Sequence, residues 1–411
     1  MERVPASGSI LCGGGRVEYP ALVSLDDYAG REQAYVKHIF LERYLEALIF
    51  KTASTYNHIV YVDGFAGPWQ SANEQFEDTS FGIALNALRK AKDSWKKQGR
   101  DVKMTALLVE QHPKAFAQLA TIRPRYPDFE IKTYPADFIS IVPQILNDIP
   151  REAFAFFFID PKGWRIPLAQ LQPLMARLRS EVLFNFMFEF INRAVSMTVP
   201  ITIQGLDELM PGSNWQQRLR DAEAERGRDG LSMDDRKEVL VGAFSDSLKQ
   251  IGGYSYVAEL TVLRPLTDRS LYCLVYGSRH EAGIAVFRDC QMATLKAQAA
   301  TRAERKVRDK VERSGQSEMF VSLLDMAPDQ TESILEREKR RATDLIRELV
   351  PKAPASIPYR TLWATVLAKH AVRRTDVNAI CAAMKKGGEL LFPDWEPRRQ
   401  VPQDHYRVQR P

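Results

Sequence analysis

Two hydrophobic periods alternate along this chain. Within residues 25–50 the apolar positions Tyr35, Ile39, Leu41, Tyr44, Leu45 and Leu48 return at helical spacing, which predicts a helix packed on a sheet. Lys37 and His38 fall near its exposed margin, where a solvated face is the ordinary reading. Then the period changes. Residues 59–62 are β-branched or aromatic in a run too short for a helix, and similar runs recur at 104–109, 129–134, 153–159 and 182–188. These read as strands buried on both faces, with 153–159 the most apolar and therefore central. Helical segments separate them at 81–91, 112–120, 138–146 and 168–178, so the pattern is that of an α/β domain with a mostly parallel sheet.

The later chain departs from this alternation. Residues 192–251 are helical and charged, with a Gly-rich break at ERGRDG, and read as an insertion over the carboxyl ends of the strands, where loops usually carry recognition. Residues 254–263 and 270–276 alternate and are joined by RPLTD, which predicts an antiparallel hairpin. A helix over 287–311 becomes strongly charged toward Ser314 and Gly315. Residues 330–411 form a unit of their own: helices at 334–349, 359–369 and 375–386, then GGELLF starting a wing-like strand before Trp395, Arg398 and Arg399. That order suggests a winged helix-turn-helix. The expected partition is a lead-in and first helix at 1–58, the α/β domain at 59–295, a connector at 296–329 and the terminal module at 330–411.

Composition narrows the class. At 411 residues, two or three domains are expected. The apolar runs are far too short to span a bilayer and the N-terminus lacks a leader pattern, so a cytoplasmic protein is expected. Cys12, Cys273, Cys290 and Cys381 have no metal-ligand spacing and there are 6 His, which argues against a structural zinc site. The net charge is +5, and residues 330–411 hold 16 Lys and Arg against 10 Asp and Glu. A basic terminal module points toward nucleic acid, though a solvated charged surface has the same composition.

Four strand runs end on an acid: Asp63 in YVDGFAGPW, Glu110 in LLVEQHP, Asp137 in IKTYPADF and Asp160 in FIDPKGW. Open α/β sheets bind nucleotides along that edge, and Gly64 and Gly67 let a ligand approach the backbone. Acids at strand-to-helix junctions also cap helix N-termini, so each alone is equally a structural residue.

YVDGFAGPW, FIDPKGW and the basic tail together resemble the three-Cys-motif partner proteins (TcmP). More distantly the chain resembles Rossmann-like methyltransferases that use S-adenosylmethionine, including those acting on the exocyclic amine of adenine in DNA or RNA. The likeness spans about residues 30–295 and 330–405. It implies a Rossmann-like methyltransferase sheet with a helical insertion, a C-terminal winged helix, and a three-Cys-motif protein as partner. By the same resemblance Asp63, Gly64 and Gly67 line the methionine end of the cofactor, Glu110 takes the ribose hydroxyls and Asp137 the adenine amine. Asp160 and Pro161 hold the target amine and Trp164 stacks on the extruded base.

The motif departs from the amino-methyltransferases at Lys162, Gly163 and Trp69. Lys162 is either a phosphate contact or a charge opposed to a cationic methyl donor. Arg373, Arg374, Lys385 and Lys386 bracket the expected recognition helix as phosphate contacts; helix-end charge on a protein-binding module is the other reading. Beside a nucleic-acid methyltransferase stand a non-catalytic binding protein of the same fold and a metal-dependent nuclease using Asp63, Glu110 and Asp160.

Overall fold

The computed structural model describes residues 28, 30–68, 71, 76–314 and 330–411, with backbone alone at 229, 312–314 and 330. Trp69 and the CGGG stretch lie outside the described residues. The chain divides into two compact units, Met1–Ser255 with Glu259–Arg279, and Tyr256–Ala258 with His280–Pro411.

The first unit is built on a seven-stranded sheet: β1 His58–Asp63, β2 Lys103–Val109, β3 Glu130–Tyr134, β4 Phe154–Ile159, β5 Ser180–Phe186, β6 Tyr256–Leu263 and β7 Ser270–Ser278. Their order is β3-β2-β1-β4-β5-β7-β6. The first five strands pair in parallel and β7 runs antiparallel to β5. This is a Rossmann-like α/β sheet ending in the expected hairpin, whose turn is closed by Arg264 N–H donating to the Arg269 carbonyl at 2.8 Å. Every residue of β4 and β5 is buried, as their unbroken apolar runs require of central strands.

Chain direction places the site. The chain winds outward through β1, β2 and β3, then crosses back to lay β4 on the other side of β1. The carboxyl ends of β1 and β4 therefore flank a topological switch point, where an open sheet leaves a crevice. Asp63 is paired in register with Phe158, so Asp160 follows two residues beyond the neighbouring strand position.

Helix α1, Glu32–Ala53, packs against α2, Ser80–Lys97, and on β1. The segment between β5 and β6 carries α6 Phe188–Val195, α7 Pro200–Leu209, α8 Trp215–Arg226 and α9 Met233–Gly252, confirming the helical insertion. α9 starts with a capping box between Ser232 and Asp235 and contributes Phe244, whose ring centroid lies 4.8 Å from both Phe184 and Phe186.

Two predicted helices are shorter than their periodicity suggested. The 168–178 segment holds only a 3₁₀ turn, Leu168–Leu171, and one α-turn, α5 Gln172–Met175; Pro173, in the first turn of α5, has no N–H with which to join the two into one helix. The 138–146 segment becomes helical only at α4, Val142–Asp148; before it, Asp137 Oδ1 accepts from Ser140 N–H at 3.0 Å and holds a turn. Between β2 and β3 lies α3, Pro113–Leu119.

The second unit contains α10, Glu281–Ser314, which runs unbroken through the boundary expected at residue 295, and further helices at Gln330–Leu349, Tyr359–Lys369 and Arg374–Lys386. The strands β8, Ile357–Pro358, and β9, Arg407–Val408, pair antiparallel. GGELLF contributes only a bridge from Leu391 to Gln409. Tyr359, Trp363, Val377, Cys381 and Tyr406 fill the core. Three of the four tail cations selected as phosphate contacts are engaged within this unit. Arg373 Nε donates to Asp376 Oδ2 at 3.0 Å, Arg374 Nη2 to Asp404 Oδ1 at 2.7 Å, and the Lys385 ammonium sits 4.4 Å from the Trp395 ring centroid. Lys386 is exposed.

Candidate functional site

A cleft of about 1440 Å³ opens at the switch point and is lined by Asp63's neighbours Gly64 and Gly67, by Glu110, Asp137, Asp160 and Pro161, and by Trp164. The residues expected to share a site thus converge from the ends of β1, β2, β3 and β4.

Asp63 is fully buried. Its Oδ1 accepts from Phe65 N–H at 3.0 Å, and its Oδ2 from Ser80 Oγ at 2.8 Å and Tyr61 Oη at 3.2 Å. Burial pushes its carboxyl up to about 6 despite these donors, and the nearby charge of Asp160 adds to the rise. Gly64 is fixed by sterics: a Cβ there would lie 2.8 Å from the Phe138 ring, so only glycine lets this turn pass under Phe138. Glu110 is buried and Oε1 accepts from His112 N–H at 2.6 Å. Asp137 is exposed and its Oδ1 is the one that braces Ser140. Lys162 is exposed at the cleft; partial burial lowers its pKa, and the Glu110 carboxylate opposes that.

Asp160 has two partners that the sequence did not announce. Lys37 Nζ donates to Oδ2 at 2.6 Å and Asn185 Nδ2 to Oδ1 at 2.5 Å. The expectation of a solvated margin at Lys37 and His38 is therefore wrong. The Lys37 side chain is only 16% exposed, and His38 is buried, sharing a 2.8 Å hydrogen bond with Tyr28 Oη. Burial drives the His38 pKa well below its usual value, with Lys37 and Arg31 adding to the effect, so neutral imidazole stands beside the Lys37 ammonium. Tyr272 from β7 donates to the Gln33 carbonyl at 2.5 Å. In an α-helix that carbonyl also accepts from the Lys37 N–H, so the turn presenting Lys37 is clamped to the sheet. Asn185 did carry a sequence signal: a lone amide within the apolar run VLFNFMF must find a partner when buried. Its orientation is fixed by Asp160, since the flipped amide would set oxygen against oxygen. In that orientation Oδ1 has no partner.

Trp164 is half-buried, and its ring rests on α7 at Gly205, where a Cβ would come within 3.0 Å. Among the described residues no group of three or more His, Cys, Asp or Glu is arranged to hold a metal ion. Glu110 and Asp160 line the cleft and Asp63 is fully buried, and the three form no ligand set. No helix of the described residues is long and apolar enough to cross a membrane.

No protein-family model and no curated protein matches the chain. Solved structures show distant likenesses. Protein LPL1258 from Legionella pneumophila is 13% identical with a TM-score of 0.33, over 59% of this chain and 84% of that one. A loganic acid methyltransferase with SAH is 8% identical with a TM-score of 0.29, over 76% and 90%. The cyclopropane synthase MmaA2 from Mycobacterium tuberculosis is 9% identical with a TM-score of 0.24, over 70% and 79%. Likenesses this remote carry no argument about what the chain does.

Proposed function

We propose that this chain is an S-adenosylmethionine-dependent methyltransferase whose acceptor is an exocyclic amine on a nucleic-acid base. The observation that carries the reading is the placement of Asp160 across the switch point from Asp63, with Glu110 and the Gly64 turn in the same cleft. A desolvated carboxylate and a backbone turn that excludes any side chain fit the cationic methionine end of such a cofactor, and Glu110 fits its ribose diol as an acceptor. The cofactor, when bound, supplies an electrophilic methyl group.

What the chain supplies is orientation. Asp160, held between Lys37 and Asn185, accepts a hydrogen bond from the acceptor amine and aims its lone pair along the line of transfer. Pro161 adds no competing donor, and Trp164 offers a face for the extruded base. The second unit, with its helices and small β8–β9 wing, is read as a winged helix-turn-helix that brings the nucleic acid. A three-Cys-motif protein as working partner follows from the sequence resemblance.

A second reading is favoured by one observation: Lys37 already occupies Asp160, and Lys162 and Gly163 replace the proline and aromatic usual after the Asp-Pro pair. On that reading the chain binds cofactor without turnover. Calorimetry with S-adenosylmethionine and S-adenosylhomocysteine, with Asp63→Ala as control, tests the cofactor site. Transfer of labelled methyl to pooled RNA and DNA, with Asp160→Ala, separates the two readings. Binding without transfer selects the second, and transfer that survives Asp160→Ala removes Asp160 from the acceptor role.

A further inference from the structure

The cleft carries two aromatic rings on the side of the helical insertion, Trp164 and Phe190. Phe190, in the first turn of α6, is 44% exposed, which leaves an aromatic face open at the cleft. Each ring carries a guanidinium. Arg165 lies 5.4 Å from the Trp164 centroid and Arg193 lies 5.0 Å from that of Phe190.

The local charge is positive. Arg193 has Glu189 at 3.6 Å, but Arg264 Nη2 holds both oxygens of that carboxylate at 2.6 Å. Two guanidiniums thus share one carboxylate, and Arg193 remains 60% exposed.

Flat apolar faces alternating with exposed cations match an unpaired nucleic-acid strand, whose bases stack while its phosphates take the guanidiniums. A duplex does not fit, because its base faces are already covered by neighbouring pairs and only its phosphates are on offer. An aliphatic protein segment would cover Phe190 and leave the cations unanswered.

We propose that Phe190, with Arg165 and Arg193, extends the Trp164 face that takes the acceptor base into a stacking platform, on which Phe190 takes a base of the adjoining single-stranded segment. The methyl acceptor is then single-stranded RNA or DNA. This rests on the nucleic-acid reading above and narrows it.

The test is fluorescence anisotropy on the full chain with labelled oligoadenylates of about ten nucleotides, a length within the ~4–16 that one single-strand module covers. Ribo- and deoxyribo-forms are compared with their annealed duplexes, in the presence of S-adenosylhomocysteine. Single strands are expected to bind more tightly than duplexes, and the ribo–deoxyribo difference assigns the sugar. Phe190→Ala is expected to weaken single-strand binding roughly tenfold without changing its salt slope, and Phe190→Tyr to restore it. Arg165→Gln and Arg193→Gln are expected to flatten the salt slope. Equal binding of duplex, or a Phe190→Ala variant that binds as well as the parent, overturns the platform while leaving the nucleic-acid reading intact. If no oligonucleotide binds while S-adenosylhomocysteine still does, both fail, and Phe190 passes to the apolar surface of Met197, Val199 and Ile201 as a protein contact.

Discussion

Lys37 and Asp160, 123 residues apart in the chain, meet through a 2.6 Å contact between Nζ and Oδ2, with about one-sixth of each side chain exposed. The pair joins α1 to the end of β4, so it sets how the Asp160 carboxylate is held before any ligand arrives. Replacing Lys37 with Met removes the charge while keeping most of the packing. The cost to stability is expected between the ~1 kcal/mol of an exposed pair and the ~3–5 kcal/mol of a buried one. The larger effect is expected on methyl transfer, a drop of about 100-fold or more, with S-adenosylhomocysteine affinity changed less than about threefold. Urea denaturation and calorimetry alongside the transfer assay check this. A proportional loss of cofactor affinity would instead place Lys37 in the cofactor site.

Asn185 holds the other oxygen of Asp160, and Asn185→Asp is the sharper probe because it alters charge without altering shape. Two carboxylates would face each other across the 2.5 Å now spanned by a hydrogen bond, and they cannot both be ionised at neutral pH. One shared proton is expected, which removes an acceptor and raises the pH at which transfer recovers. Asn185→Leu should lower transfer without shifting the profile. Rate against pH for the two variants distinguishes a charge effect from lost packing.

Asp63, in the cofactor role proposed for it, should make binding pH-dependent in a definite direction. Its pKa is raised to about 6 from 3.8, so the folded protein holds this proton more tightly than the unfolded chain does. The stability it contributes is full below about 3.8 and is lost as pH rises through about 6. A cationic ligand prefers the ionised carboxylate, so affinity for S-adenosylmethionine should fall as pH drops below about 6, by up to tenfold per pH unit. Titrations at pH 6 in buffers of different ionisation enthalpy should show proton release on binding, and Asp63→Asn should abolish it.

Much of this was legible in the sequence because short unbroken apolar runs alternated with period-3.6 runs and were interrupted by the right residues. The order of strand, acid and helix located the cleft, and the lone polar position in VLFNFMF hinted at Asn185. Lys37 was not legible. On a helix wheel it sits beside the apolar stripe, and only the clamp from Tyr272 to Gln33 decides that this margin faces Asp160 rather than water. The partners of the tail cations were not legible for a related reason. Charge density in a sequence counts cations without showing which carboxylate or ring each has found.

Arg374 and Lys386 make that distinction measurable. The Arg374 guanidinium lies 4.8 Å from the Trp363 ring centroid and donates to Asp404 Oδ1, which also accepts from Trp363 Nε1 at 2.9 Å. One carboxylate therefore ties together the helix Arg374–Lys386, the core tryptophan and the segment before β9. Arg374→Ala leaves Asp404 with one donor and uncovers the indole, so a loss of about 1–3 kcal/mol is expected, in the range of a charged hydrogen bond. Lys386 is exposed at the end of the same helix, and Lys386→Ala should leave stability within about 0.5 kcal/mol. Nucleic-acid binding should respond the other way round. If the helix end meets phosphate, Lys386→Ala lowers the salt slope by about 1, whereas Arg374→Ala changes affinity only where it has begun to unfold the unit. Urea denaturation followed by tryptophan fluorescence, with anisotropy across a salt series, reads both effects. A stable Arg374→Ala variant with a reduced salt slope would mean that the guanidinium leaves Asp404 for phosphate.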